Sequence, residues 1–152
     1  MTEWCANCHG MFVNDSHRHP AGNGQNLDGQ ASNYNSYKKT GDFTGTQADS
    51  YLALVPFERG ITDRTQLMPT SKQGPDNNSN VACVTCHRSH ASAFRNATRW
   101  DNTASLLVEE IHPTMAELPI MKDATTPYYG RDMLVQFGEF QRNLCNKCHV
   151  QD

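Results

Sequence analysis

The sequence predicts a mainly irregular chain with a few short α-helices, and its composition and its loop-like stretches both indicate this fold class. Of 152 residues, 37% are hydrophobic and the mean hydropathy is -0.69, so side chains alone would bury only a small core. Long stretches rich in Asn, Gly, Ser, Gln and Thr are typical of loops. The length corresponds to one domain, which we expect to span residues 1–152.

The first half of the chain contains few signals for regular structure. Residues 21–46 and residues 71–80 are dominated by turn-forming residues and are predicted to be loops. Between them, an apolar turn begins at Ser50 and is stopped by Pro56, because proline lacks the backbone N–H that a continuing helix needs.

Two helices are predicted in the last third of the chain. The first begins at Asn102 or Thr103, either of which is a suitable cap, and ends before Pro113. It would place Leu107 and Ile111 on one face.

The second predicted helix is longer and extends from its cap at Asp132 into the last cysteine pair. Its apolar residues recur at steps of three and four, which predicts a single apolar stripe. The stripe contains Met133, Phe137, Phe140, Leu144 and Cys148.

The six cysteines fall into three copies of one pattern, Cys-x-x-Cys-His, in the stretches "CANCH", "CVTCH" and "CNKCH" at residues 5–9, 83–87 and 145–149. A structural zinc site is closed by four ligands from two such half-sites, so three half-sites would leave one pair unused. A thioredoxin-like dithiol has no use for the histidine. Covalent haem attachment uses all the residues, because two sulfurs form thioethers and the histidine binds the iron.

We therefore predict three covalently attached c-type haems, around which the chain is wrapped. The apolar porphyrins would supply the core that the side chains lack. The attaching residues are Cys5, Cys8, Cys83, Cys86, Cys145 and Cys148, and the proximal iron ligands are His9, His87 and His149.

Four histidines outside the motifs are candidates for the other side of each iron. His90 follows His87 by three residues and lies on the same side of that porphyrin, so as a ligand it must serve a different haem. His19 and His112 each precede a proline, which favours an extended backbone and suits an imidazole offered across a haem edge. Three irons need at most three of these ligands, and we expect His17 to be the spare or exchanged one.

The rival distal ligand is Met68, which places a thioether directly before Pro69. Methionine ligation would raise the reduction potential of that haem relative to a bis-histidine haem.

Charge and hydropathy limit the partners and the location. The net charge of -3, from 13 basic and 16 acidic residues, argues against nucleic acid as a partner. No apolar run is long enough to span a membrane. Since haem thioethers are formed after export, we expect an exported protein, periplasmic or on the cell surface. Met1 lies four residues before the first cysteine, which leaves open whether the chain is a piece of a longer multihaem protein.

The stretches "CHRSHASAFRNATRW" from Cys86 and "QRNLCNKCH" from Gln141 resemble the multihaem c-type cytochromes of metal-respiring and sulfur-respiring bacteria, in which Cys-x-x-Cys-His-x-x-His units are common. The resemblance implies closely spaced, low-potential, bis-histidine haems that conduct electrons to other redox proteins or multihaem cytochromes. Some relatives form filaments in which one subunit lends a histidine to the next. His17 is the candidate donor for such self-assembly.

Two functional classes are distinguished by whether every iron has both axial ligand positions filled. An electron carrier has every iron six-coordinate, whereas a small reductase of nitrogen or sulfur oxyanions keeps one position open. The histidines suffice to close all three irons, which favours the carrier and no enzymatic activity. The cationic residues available to a reductase site are Arg88, Arg95, Arg99 and Lys122.

Because the haems are expected to form much of the core, the haem-free protein should be largely unfolded. Thermal unfolding of haem-free protein, followed by circular dichroism, should show no cooperative transition. A sharp transition would mean that the polypeptide forms its own core.

Overall fold

The computed structural model describes residues 1–12, 21–50, 56–90, 92–106 and 132–149. Short helices joined by irregular segments make up this part of the chain, and its only strand-like pairings are isolated β-bridges. The predicted fold class, mainly irregular with a few short α-helices, is confirmed. None of the helices within these ranges is long and apolar enough to cross a membrane.

Three of the α-helices in the described ranges carry the cysteine motifs. The α-helices are α1 (Thr2–His9), α2 (Gly29–Ser36), α3 (Cys83–Cys86), α4 (Met133–Phe137) and α5 (Leu144–Cys148), with 3₁₀ turns at Gly10–Phe12, Arg64–Gln66 and Arg95–Ala97. Helix α1 packs against α3, and α2 packs against α5.

Helix α2 lies inside residues 21–46, which the sequence predicts to be a loop, and that prediction is wrong. Its sequence "GQASNYNS" has poor helix propensity, but Tyr34 on this helix is completely buried, at 0% exposure. Ala31 is buried one turn before Tyr34, so the helix presents an apolar face despite its polar composition. Burial therefore outweighs local propensity here. Residues 71–80 are irregular, as predicted.

The core of the described structure is centred on Tyr34. The ring of Phe57 meets it edge-on, with ring centroids 5.2 Å apart and an interplanar angle of 87°. Trp100 and two motif cysteines, Cys86 and Cys148, also pack against it. The core thus brings the second and third cysteine motifs together.

The single long helix predicted from Asp132 is wrong, because the structure divides it into α4 and α5. The predicted cap is confirmed: the side chain of Asp132 accepts a hydrogen bond from the backbone N–H of Val135 at 3.0 Å. Gly138 ends α4 with a φ of 82°, a conformation that favours glycine. Helix α5 begins separately at Asn143, whose side chain accepts from the N–H of Cys145 at 3.1 Å.

The helix predicted from Asn102 or Thr103 is also wrong over the part that the structure describes. The Asp101 side chain accepts hydrogen bonds from the backbone N–H and the hydroxyl of Thr103, which forms a turn instead. Leu106 then pairs with Arg142 in a β-bridge. The rest of this predicted helix, from Leu107 to Pro113, lies outside the described residues, as do residues 51–55 of the apolar turn predicted at Ser50.

Replacing Tyr34 with Ala should lower the free energy of unfolding of the haem-containing protein by about 3 kcal/mol, because a large buried ring leaves a cavity. The matched control is Phe43→Ala, which removes a ring that is half exposed and should cost clearly less. Denaturant titration gives both values. Equal losses in the two variants would contradict the central place of Tyr34.

Candidate functional site

Each cysteine motif forms one helical turn, which places its two sulfurs and its histidine close together. The first motif lies within α1, which ends at His9. In the second and third motifs the histidine follows the helix. The backbone N–H of His87 donates to the Cys83 carbonyl at 2.9 Å, and that of His149 to the Cys145 carbonyl at 2.8 Å. All six cysteines are free of disulfides, as thioether attachment requires.

The three motifs lie in a row with the second in the middle. Helix α1, which carries the first motif, packs against α3, which carries the second, and the Thr2 hydroxyl accepts from the Cys83 N–H at 3.3 Å. On the other side, Cys86 and Cys148 share the Tyr34 core. The order of the motifs in space is therefore their order in the sequence.

Burial affects the acidity of the two cysteines in the Tyr34 core. Burial, with a smaller contribution from the Cys145 thiol, raises the pKa of Cys86 to about 11. Burial and the adjacent Cys86 thiol raise the pKa of Cys148 to about 12. Cys8 is instead exposed. One face of the row of motifs therefore adjoins the core and the other faces solvent.

His87 is oriented by the backbone of the loop that follows it. Its Nδ1 lies 2.8 Å from the carbonyl oxygen of Asn96, so Nδ1 carries the proton and donates it. This fixes the tautomer in which Nε2 is the nitrogen available to a metal, the arrangement usual for metal-binding histidines. The loop is closed by a bridge between His87 and Thr98, and Asn96 and Ala97 both have positive φ.

His90 is carried by the same loop and lies against the first motif. Its ring centroid is 6.1 Å from that of His9, at an interplanar angle of 50°. Two imidazoles bound to opposite sides of one metal ion through bonds of about 2 Å have centroids about 6 Å apart. His90 also has a φ of 58°, a strained conformation of the kind found at functional sites. The two rings are therefore close enough that both could hold one metal ion.

The other candidate ligands fall in different places. Met68 is 73% exposed, in the irregular chain after the Arg64–Gln66 turn. His17, His19 and His112 lie outside the described residues.

Of the cationic residues considered for a reductase site, Arg88 and Arg95 are exposed. Arg99 packs over the Trp100 ring and donates to the carbonyl of Val84 at 3.2 Å, which gives it a structural role. Lys122 lies outside the described residues.

The surroundings of the first motif fit a large, flat, apolar group. Trp4 on α1 and Met11 in the following turn are 68% and 70% exposed, on either side of His9 in the sequence. Large apolar side chains beside two cysteines and a histidine are the expected lining of a bound porphyrin. The residues present therefore fit covalently attached haem.

The sequence reasoning missed two buried polar residues within the motifs, each directly before the second cysteine of the second or third motif. Thr85 is buried and donates to the carbonyl of Pro56 at 2.5 Å. Lys147 is 1% exposed and donates to the carbonyl of Ser50 at 3.2 Å. Burial lowers the pKa of Lys147 to about 8. Thr85 and Lys147 occupy the same position within their motifs, and this shared position is the sequence signal that could have identified them.

No protein-family model matches the chain. The whole chain is 42% identical, over 174 aligned positions, to C-type cytochrome OmcS of Geobacter sulfurreducens, and spans 40% of that protein. Two solved structures also match the whole chain. One is the outer membrane cytochrome S filament from Geobacter sulfurreducens, with a TM-score of 0.75, 41% identity and 42% of that chain covered. The other, a cryo-EM structure of the OmcS nanowires, has a TM-score of 0.73, 39% identity and 42% of that chain covered. The chain thus spans about two fifths of the length of the relatives it matches.

Proposed function

We propose that this chain, which belongs to the multihaem c-type cytochromes, holds three covalent haems in one domain and serves electron transfer in extracellular respiration. Haem iron supplies the one-electron couple when it is bound. The observation that carries the proposal is the row of three Cys-x-x-Cys-His turns, in which the helices of the first two motifs pack together and the last two motifs share the Tyr34 core. Such a row keeps the attachment points close enough to form one continuous conduit.

The cysteines and the histidine of each motif have different roles in holding the haem. The two cysteines of a motif attach the porphyrin edge, and the histidine that follows binds the iron. The Nδ1 donation from His87 to the Asn96 carbonyl supports this role, because it orients Nε2 and raises its basicity.

We assign His90 as the distal ligand of the iron bound by His9. The 6.1 Å separation of the two rings supports the assignment, as does the strained backbone of His90. His90 belongs to the second motif by sequence, so this ligation would tie the first two haem sites together. His19 and His112 are proposed for the two remaining irons, with His17 as the spare or exchanged histidine. Bis-histidine ligation would keep the potentials low, since methionine ligation raises them.

We place the protein outside the cytoplasm, in the periplasm or at the cell surface, where c-type haems are attached. The matched structures are described as a filament and as nanowires, which supports self-assembly of this chain as well as contact with other redox proteins. Histidine exchange between subunits is the means we propose, with His17 as donor.

Full six-coordination can be tested by electron paramagnetic resonance of the oxidised protein at low temperature, with spins counted against total haem. Low-spin signals should account for all three irons, because enough histidines exist to close each one. About one high-spin iron per molecule would indicate an open site and would favour a small reductase instead.

Replacing His90 with Met should change the low-spin spectrum of one haem in three and raise its potential, because one imidazole is lost from the pair with His9. Haem attachment should be retained, since His90 lies outside the cysteine motifs. The matched control is Ser89→Ala at the exposed preceding position. Spectra and potentials identical to those of the control would remove His90 from the ligand set.

A further inference from the structure

The residue directly before the second cysteine differs in charge among the three motifs. It is Asn7 in the first, Thr85 in the second and Lys147 in the third. Asn7 is exposed, whereas Thr85 and Lys147 are buried and donate to backbone carbonyls. Only the third motif therefore places a cation inside the protein at this position.

The surroundings of the Lys147 ammonium are polar or aromatic rather than acidic. Its Nζ donates to the Ser50 carbonyl and lies 4.0 Å from the ring centroid of Tyr34 and 5.9 Å from that of Tyr37. Within the described residues no carboxylate comes within ion-pairing distance of it. Asp49 acts on it only at longer range and is itself half exposed, 3.8 Å from Lys38. The positive charge is thus held in place without being neutralised.

The same charge lies next to the third haem attachment point. Lys147 immediately precedes Cys148, and both side chains lie against Tyr34. Reduction removes one unit of positive charge from an iron centre, so a nearby cation favours the reduced form. Salt screens a buried charge much less than a surface charge.

We propose that Lys147 tunes the third haem electrostatically, raising its reduction potential relative to the potential that a neutral residue would give. The inference rests on the proposed function, since it requires a haem on Cys145 and Cys148. Lys147 supplies a fixed charge and neither attaches nor ligates the haem. Its position at one end of the row would favour electron occupancy of the third haem.

The test compares two substitutions of Lys147 that separate charge from packing. Lys147→Gln keeps a donor for the Ser50 carbonyl but removes the charge, and Lys147→Arg keeps the charge. Reductive titration followed by optical spectroscopy at pH 6.5 should show one of three couples moved to lower potential in the Gln variant. At a fixed solution potential, the ferric-to-ferrous ratio of that haem should rise roughly tenfold, which corresponds to a potential lower by about 59 mV for a one-electron couple. The Arg variant should stay close to the unsubstituted protein.

The matched control is Lys72→Gln, which removes an exposed lysine and should leave all three couples unchanged. Three unshifted couples in the Lys147→Gln variant would overturn the proposal. So would an equal shift in the Arg variant, because that would assign the effect to packing.

Haem counting by the pyridine haemochrome spectrum separates this inference from the proposed function. If the unsubstituted protein carries three haems and the Lys147→Gln variant has unchanged reduction potentials, only the role of Lys147 is contradicted. Fewer than three haems would contradict the proposed three-haem assembly, and absence of haem mass from the peptide that contains Cys145 and Cys148 would contradict the lysine role as well. If Lys147→Gln loses haem, Lys147→Met, which is neutral and of similar volume, decides the question. Haem loss in both neutral variants but not in the Arg variant would assign Lys147 to assembly and overturn the tuning role.

Discussion

The burial of Tyr34 is the interaction on which the arrangement of the motifs depends. The ring of Phe57 packs edge-on against the Tyr34 ring, and the Lys147 ammonium lies over it. Cys86 and Cys148 also pack against Tyr34. A polar chain with few apolar residues has few other ways to hold two cysteine motifs against each other. The second and third cysteine motifs are therefore close together because one aromatic side chain forms a core with both.

The parts of the site that could be predicted from the sequence are those fixed by short covalent distance. Two cysteines and a histidine within five residues stay close together in any backbone conformation, and each motif forms a helical turn. The three-residue spacing of His87 and His90 likewise predicted that His90 would serve a different haem, and the structure places its ring beside His9. That ligation stays a prediction, but it needs no further movement of the two rings toward each other.

The parts that could not be predicted depend on contacts between distant residues. Helix α2 forms in a segment of turn-forming residues because it buries the side chain of Tyr34 in the core. The long helix predicted near the C-terminus is divided because Gly138 adopts a positive φ, which periodicity alone does not reveal. Lys147 was overlooked because a lysine in a polar sequence is usually a surface residue, and only the packing against Tyr34 reveals its burial.

The burial of Thr85 and Lys147 links the second and third motifs a second time. Thr85 donates to the carbonyl of Pro56 and Lys147 to that of Ser50, and these two acceptors are six positions apart in the sequence. Two motifs that are distant in sequence thus hydrogen-bond to acceptors that are close in sequence, and both also pack against the Tyr34 core. A fixed distance between the motifs would benefit the proposed electron transfer, because the site would not need to rearrange when an electron passes. The buried lysine fulfils the same structural role as the threonine while adding a charge, so packing and electrostatics can be set by a single residue.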